Sequence, residues 1–153
     1  MVRGVLEVML ISAQRLGNTD FLGKMDPYVL IQYQNQQRKS STAREEGGSP
    51  VWNERHTFLA NYPGVSNEYK LTLKIMDKDT FTADDFIGEA VIHVKDLLLL
   101  GAEKGTAELH PRKYCVVCAD GSYRGEIQVG VTFTPKVEEE MDEDIGGWKQ
   151  SEY

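Results

Sequence analysis

Glu126-Ile127-Gln128-Val129-Gly130-Val131-Thr132-Phe133 alternates apolar and polar residues. On an extended chain, side chains two apart share a face, so Ile127, Val129, Val131 and Phe133 line one side of a strand. The same period recurs upstream. Leu6, Val8 and Leu10 share a face within Val5–Ile11, and Val29, Ile31 and Tyr33 do so within Tyr28–Tyr33. Leu71, Leu73 and Ile75 oppose Lys70, Thr72 and Lys74 within Glu68–Met76. Phe86–Val94 and Tyr114–Val117 are further strand candidates. Turn signals lie between the runs: Gly47-Gly48-Ser49-Pro50, Tyr62-Pro63-Gly64 and Ala119-Asp120-Gly121. Short strands with recurrent turns predict an all-β antiparallel sandwich. A helical turn or two is expected only at Val94–Leu100.

The chain's 153 residues, 41% of them hydrophobic, fit one domain with a tail. The longest apolar run considered, Leu97–Leu100, falls far short of the ~20 residues that cross a bilayer. Met1-Val2-Arg3-Gly4 lacks the apolar stretch of a signal peptide and the glycine of a myristoylation site. Two cysteines and no Asn-x-Ser/Thr site point to a reducing, cytoplasmic setting. The chain is read as soluble and monomeric.

The net charge of −7 is uneven. After Pro135 stand Glu138, Glu139, Glu140, Asp142, Glu143, Asp144 and Glu152, opposed by Lys136 and Lys149, which gives −5. Residues 1–135 then carry −2. The expected organisation is a folded domain over 1–135 and an acidic, disordered tail over 136–153. The tail reads as a solubilising end, with an autoinhibitory or partner-binding role as the alternative. A slightly acidic body offers no footprint for duplex nucleic acid.

Body carboxylates cluster. Asp20 and Asp26 flank the connection between the first two strands, and Asp77, Asp79, Asp84 and Asp85 crowd another. In a sandwich, alternate connections emerge at one end, so the two loops can be neighbours. Aspartate satisfies turn backbone locally, which accounts for any one of these residues but poorly for six on two loops. Carboxylates held together repel one another unless a cation sits among them. An oxygen-only set without histidine or cysteine selects a hard ion, and calcium accepts six to eight oxygens.

Other motifs fail. Gly17–Lys24 has five residues between its glycines where a phosphate loop needs four, and Met25 stands in place of Ser or Thr. Asp77-Lys78-Asp79 opens like a helix-loop-helix calcium loop but has Thr82 for the glycine and Gly88 for the final glutamate. Cys115 and Cys118 have redox spacing, yet on a strand they point to opposite faces, so no disulfide is expected between them. His56, His93 and His110 belong to no nucleophile motif, and no enzymatic activity is expected.

Taken together, these residues resemble the C2 domain family, calcium-dependent phospholipid-binding modules. The resemblance spans residues 3–135. It rests on Leu6-Glu7-Val8 through Leu16, Asp20…Gly23-Lys24-Met25-Asp26-Pro27-Tyr28-Val29, Pro50-Val51-Trp52-Asn53-Glu54…Phe58, and Asp77-Lys78-Asp79…Asp85-Phe86-Ile87-Gly88. It implies that Asp20, Asp26, Asp77, Asp79 and Asp85 are calcium ligands, completed by carbonyls of Thr19 and Lys78, with Asp84 an extra carboxylate. The first strand matches the second of the synaptotagmin-like arrangement, and Gly125–Phe133 looks like the missing strand. The implied fold is the eight-stranded Greek-key sandwich in its permuted, phospholipase-like topology.

A single short domain of this kind is similar to the small plant elicitor-responsive and phloem C2 proteins. The resemblance implies calcium-triggered movement from cytosol to plasma membrane in defence signalling. Anionic phospholipid is the implied partner, and Ca2+ the implied cofactor. Phe21, Leu22 and Phe81 are membrane-inserting candidates, their alternative being to close the loops from within. Lys70 and Lys74, with Arg38 and Lys39 near them, are a candidate phosphoinositide face, or an ordinary solvated one. The alternative function is a protein- or RNA-binding adaptor whose calcium site is structural or vestigial.

Overall fold

The computed structural model describes residues 2–16, 26–43, 49–64, 68–79 and 81–136. Their elements are β1 (Val2–Gln14), β2 (Pro27–Tyr33), β3 (Gln36–Lys39), β4 (Val51–Tyr62), β5 (Lys70–Asp77), β6 (Asp85–His93), α1 (Lys95–Lys104), β7 (Ala107–Val117) and β8 (Tyr123–Lys136). Every pairing is antiparallel, in the order β3-β2-β5-β6-β7-β8-β1-β4. Only Glu89↔Val117 joins β6 to β7, and there the sheet folds over into two four-stranded leaves. This is the antiparallel sandwich expected from the alternation, with the eight strands that the resemblance implies.

The alternating residues form the core. Leu6, Val8 and Leu10 of β1, Ile127, Val129, Val131 and Phe133 of β8, and Leu71, Leu73 and Ile75 of β5 are all buried. Fully burying each such side chain contributes about 1.5–3 kcal/mol before chain entropy is subtracted. Tyr33 meets Phe58 edge-on at 6.3 Å between ring centroids, joining the two leaves. At their far margin β3 reaches β4 through side chains. Gln36 donates to Leu59 O at 2.8 Å and accepts from Leu59 N at 2.9 Å, and Arg38 Nε donates to Thr57 O at 3.1 Å.

The structure departs from the sequence reading in several places, among them β3, the start of β7 at Ala107, β4, the helix end and Cys118. β4, a strand of 12 residues, was hidden by its polar run Asn53–Thr57 and by a register skip at Trp52-Asn53, where Asn53 takes φ 51°. The helix extends to Lys104 because it spans the end of the sandwich, burying Leu97, Leu98 and Gly101. A Cβ on Gly101 would come within 2.5 Å of Phe133, so the glycine is there for close packing. Cys115 lies on β7, but Cys118 stands past the strand in the β7–β8 turn. Both thiols are free.

At the opposite end, Gly125 lets the start of β8 approach the end of β1. Its φ is +82°, and a Cβ would lie 2.6 Å from the carbonyl oxygens of Gln14 and Arg15. Glu126 accepts from Gln14 and Arg15, each at 2.9 Å, and fixes the exit of β1 toward residues 17–25. The acidic segment after Lys136 lies outside the described residues.

Candidate metal centre

Strand register gathers the aspartates. Pro27, which needs no ladder donor, starts β2 opposite Asp77, the last residue of β5. Asp77 in turn pairs with Asp85, the first residue of β6. Directly opposed residues of an antiparallel pair have Cβ atoms ~5 Å apart, so two like charges face each other. Asp26 is tied to the same point: its N–H donates to Asp77 Oδ1 at 3.0 Å, and its carbonyl accepts from Lys78 N at 3.0 Å. Burial pushes the Asp77 carboxyl up, and the charges of Asp26, Asp85 and Asp79 push the same way against the Asp26 amide.

Asp79 faces its own loop. Its Oδ1 accepts from Phe81 N at 3.0 Å and Thr82 N at 3.3 Å, and these donors hold its pKa below the usual carboxylate value. Asp84 is bonded through both of its oxygens. Its Oδ1 accepts from Asp79 N at 3.0 Å, and its Oδ2 accepts from the Tyr28 hydroxyl at 2.5 Å. The Asp79 amide and then the Tyr28 hydroxyl lower the Asp84 pKa, while the Asp84 bond, burial and charge push Tyr28 up to about 12. Lys39 Nζ sits 4.7 Å above the Tyr28 ring. Tyr28 and Asp84 thus pin the β5–β6 loop to β2. Sequence reasoning missed this pair, because 56 positions separate the two and no spacing signals their contact.

Asp20, Phe21, Leu22 and Thr19 lie outside the described residues. Of the remaining candidates, Asp26 and Asp85 each adjoin Asp77, and Asp79 is turned toward Phe81 and Thr82. Among the described residues, no three His, Cys, Asp or Glu side chains are gathered closely enough to hold a metal. In chemistry the set fits a hard divalent cation: oxygen donors only, with burial first and then the charges of Asp26, Asp85 and Asp79 disfavouring the Asp77 carboxylate. Phe81, on the same loop, is 92% exposed, so it does not close the loop from within.

The lysine face divides differently from expectation. Lys39, Lys70 and Lys74 lie on the outer side of the β3-β2-β5-β6 leaf. Arg38 does not join them; it turns toward β4 and lies 5.1 Å over the Phe58 ring. Elsewhere, Glu54 receives the Ser41 hydroxyl and meets His56 Nε2 at 3.2 Å. The carboxylate rather than the imidazole holds the hydroxyl, which is not the order of a nucleophile relay. Among the described residues, no helix is long and apolar enough to cross a membrane.

The C2 domain profile matches residues 4–111, and the chain belongs to the C2 domain family. It is 54% identical over 154 residues to the 16 kDa phloem protein 1 of Arabidopsis thaliana, covering 99% of each chain. It is 49% identical over 152 residues to Elicitor-responsive protein 1 of Oryza sativa subsp. japonica, covering 97% of this chain and 96% of that one. Among solved structures, a C2 domain-containing protein from an elicitor-responsive gene superposes with a TM-score of 0.71 at 38% identity. That match covers 89% of this chain and 92% of the other.

Proposed function

We propose that the chain is a calcium-dependent phospholipid-binding module that moves from cytosol to plasma membrane in calcium and defence signalling. The observation that carries it is the pairing, on one loop, of mutually repelling carboxylates with a fully projecting phenylalanine. Asp20, Asp26, Asp77, Asp79 and Asp85 hold the ion, and Phe21, Leu22 and Phe81 enter the interface. Elicitor-responsive naming among the relatives supports the signalling context.

Before the ion binds, Asp26, Asp77, Asp79 and Asp85 present negative charge to an anionic leaflet and are repelled. Asp20, Asp26, Asp77, Asp79 and Asp85 would hold calcium, which would offset that charge and offer positions to lipid phosphate oxygens. Tyr28 and Asp84 hold the loop backbone while Asp79 swings. Phe81 then buries its ring, contributing roughly 2–3 kcal/mol at about 25 cal/mol per Å². A second reading, a protein- or RNA-binding adaptor with a structural or vestigial calcium site, draws support from the phloem-protein name of the Arabidopsis relative.

Pelleting with phosphatidylserine-containing liposomes, with calcium and with chelator, tests the proposal. Binding in calcium alone is expected. Equal pelleting in both arms overturns it, and an RNA mobility shift without liposome binding favours the adaptor.

A further inference from the structure

The outer side of the β3-β2-β5-β6 leaf carries three lysines: Lys39 over the Tyr28 ring, Lys74 opposite Glu89 and Lys70 opposite His93. Lys39 is opposite Leu30, and Leu30 opposite Lys74, so the two lysines share a face two strands apart, roughly 10 Å. Lys70 shares that face, four residues back along β5 and about 13 Å away. Among the described residues none of the three makes an ion pair, whereas Arg15 and Lys78 each do. Beside Lys70 lies a polar depression of about 140 Å³ lined by Gln32, Gln34, Glu68, Lys70 and Thr72. Amide, hydroxyl and ammonium donors line it together with one carboxylate, that of Glu68.

The chain supplies those carboxylates at this end. β8 finishes at Lys136, opposite Arg3, and Val2 beside it is opposite Tyr62. The Tyr62 ring lies 5.5 Å from that of Tyr69, the neighbour of Lys70. β8 therefore ends at the Lys70 end of the sandwich. Glu138, Glu139, Glu140, Asp142, Glu143 and Asp144 follow without an intervening base. At up to ~3.3 Å per residue, eight residues reach roughly 26 Å. That is enough to round a leaf packed ~10 Å from its partner.

We propose that the acidic segment 138–144 docks on the Lys39, Lys70 and Lys74 face of its own molecule. Single exposed pairs are weak, but a short tether holds the segment at an effective concentration of order mM, so several together suffice. The docking needs no metal and is independent of the calcium reading. Any anionic partner of the face must displace the segment first.

Zero-length carbodiimide cross-linking of the full chain, with chelator present, tests this. Cross-links from 138–144 are expected at Lys39, Lys70 or Lys74, unchanged on dilution and lost at ~1 M salt, where the screening length is about 3 Å. Replacing the six acids by Gln and Asn in the full chain raises acetylation of Lys70 and Lys74 about two- to tenfold. Cross-links spread equally to Lys95, Lys104 and Lys113 overturn the proposal. So do links that vanish on dilution, or unchanged acetylation.

Discussion

Two aspartate-bearing turns of this molecule begin alike and end differently. In the β7–β8 turn, Asp120 Oδ1 accepts from Ser122 N at 2.9 Å and Ser122 Oγ at 2.6 Å. Those bonds lower the Asp120 pKa and account for the residue completely. In the β5–β6 loop Asp79 makes the same local bonds, but Asp77 is raised, first by burial and then by the charges of Asp26, Asp85 and Asp79. A turn needs one acceptor. The carboxylates in excess of that need separate a site from a turn.

The sharpest way to break this contrast is calcium. At a hundredfold excess over its dissociation constant, one site adds about 2.7 kcal/mol of stability, a melting shift of roughly 5–10 °C. Asp77→Asn with Asp79→Asn abolishes that shift and the calcium-dependent liposome binding, measured by calorimetry and pelleting. A double variant that still responds to calcium refutes the ligand assignment. Magnesium shifts the melting curve less, since it dehydrates reluctantly.

The next effect concerns the pin. Tyr28→Phe removes one hydrogen bond to a charged acceptor, costing about 1.5 kcal/mol in denaturant unfolding. The Tyr28 pKa stands near 12 in the fold against 10.0 unperturbed. Its stabilisation is therefore full below pH 10 and declines as pH rises from there through 12. The alkaline limb of the stability curve is shallower in Tyr28→Phe, and superimposable limbs count against the bond.

Acid probes the other partner. Asp84 is lowered from 3.8, so its contribution is present above that pH and fades as pH falls through its folded value. Asp84→Asn flattens the acid limb. Asp120→Asn has the smallest effect, about 2 °C or less in melting temperature and none on the calcium response. A calcium response that falls with Asp120→Asn dissolves the distinction between the two turns.

The sandwich was legible because Leu71-Thr72-Leu73-Lys74-Ile75 and Ile127–Phe133 each solve one problem, a buried face against a solvated one. β4 was not, because Asn53–Thr57 stand at a margin where burial is partial and a register skip interrupts the period. The acidic loop was legible as composition: four aspartates in nine positions, 77–85, exceed what a turn requires. What composition could not convey is direction. Asp79 turned toward the exposed amides of its own loop, as turn aspartates do, and Asp84 toward the Tyr28 hydroxyl, a part-buried donor that is costly to leave unmet.

The side chains that β3 sends to β4 have a further consequence. A strand at the margin of a sheet is a template on which another chain can zip. Here the Gln36 amide occupies both the N–H and the carbonyl of Leu59, and Arg38 occupies the next available carbonyl at Thr57. Leu59 is itself an exposed apolar residue, the kind that draws strands together. One glutamine thus acts as a dummy strand a single residue long, and denies that margin to a second molecule.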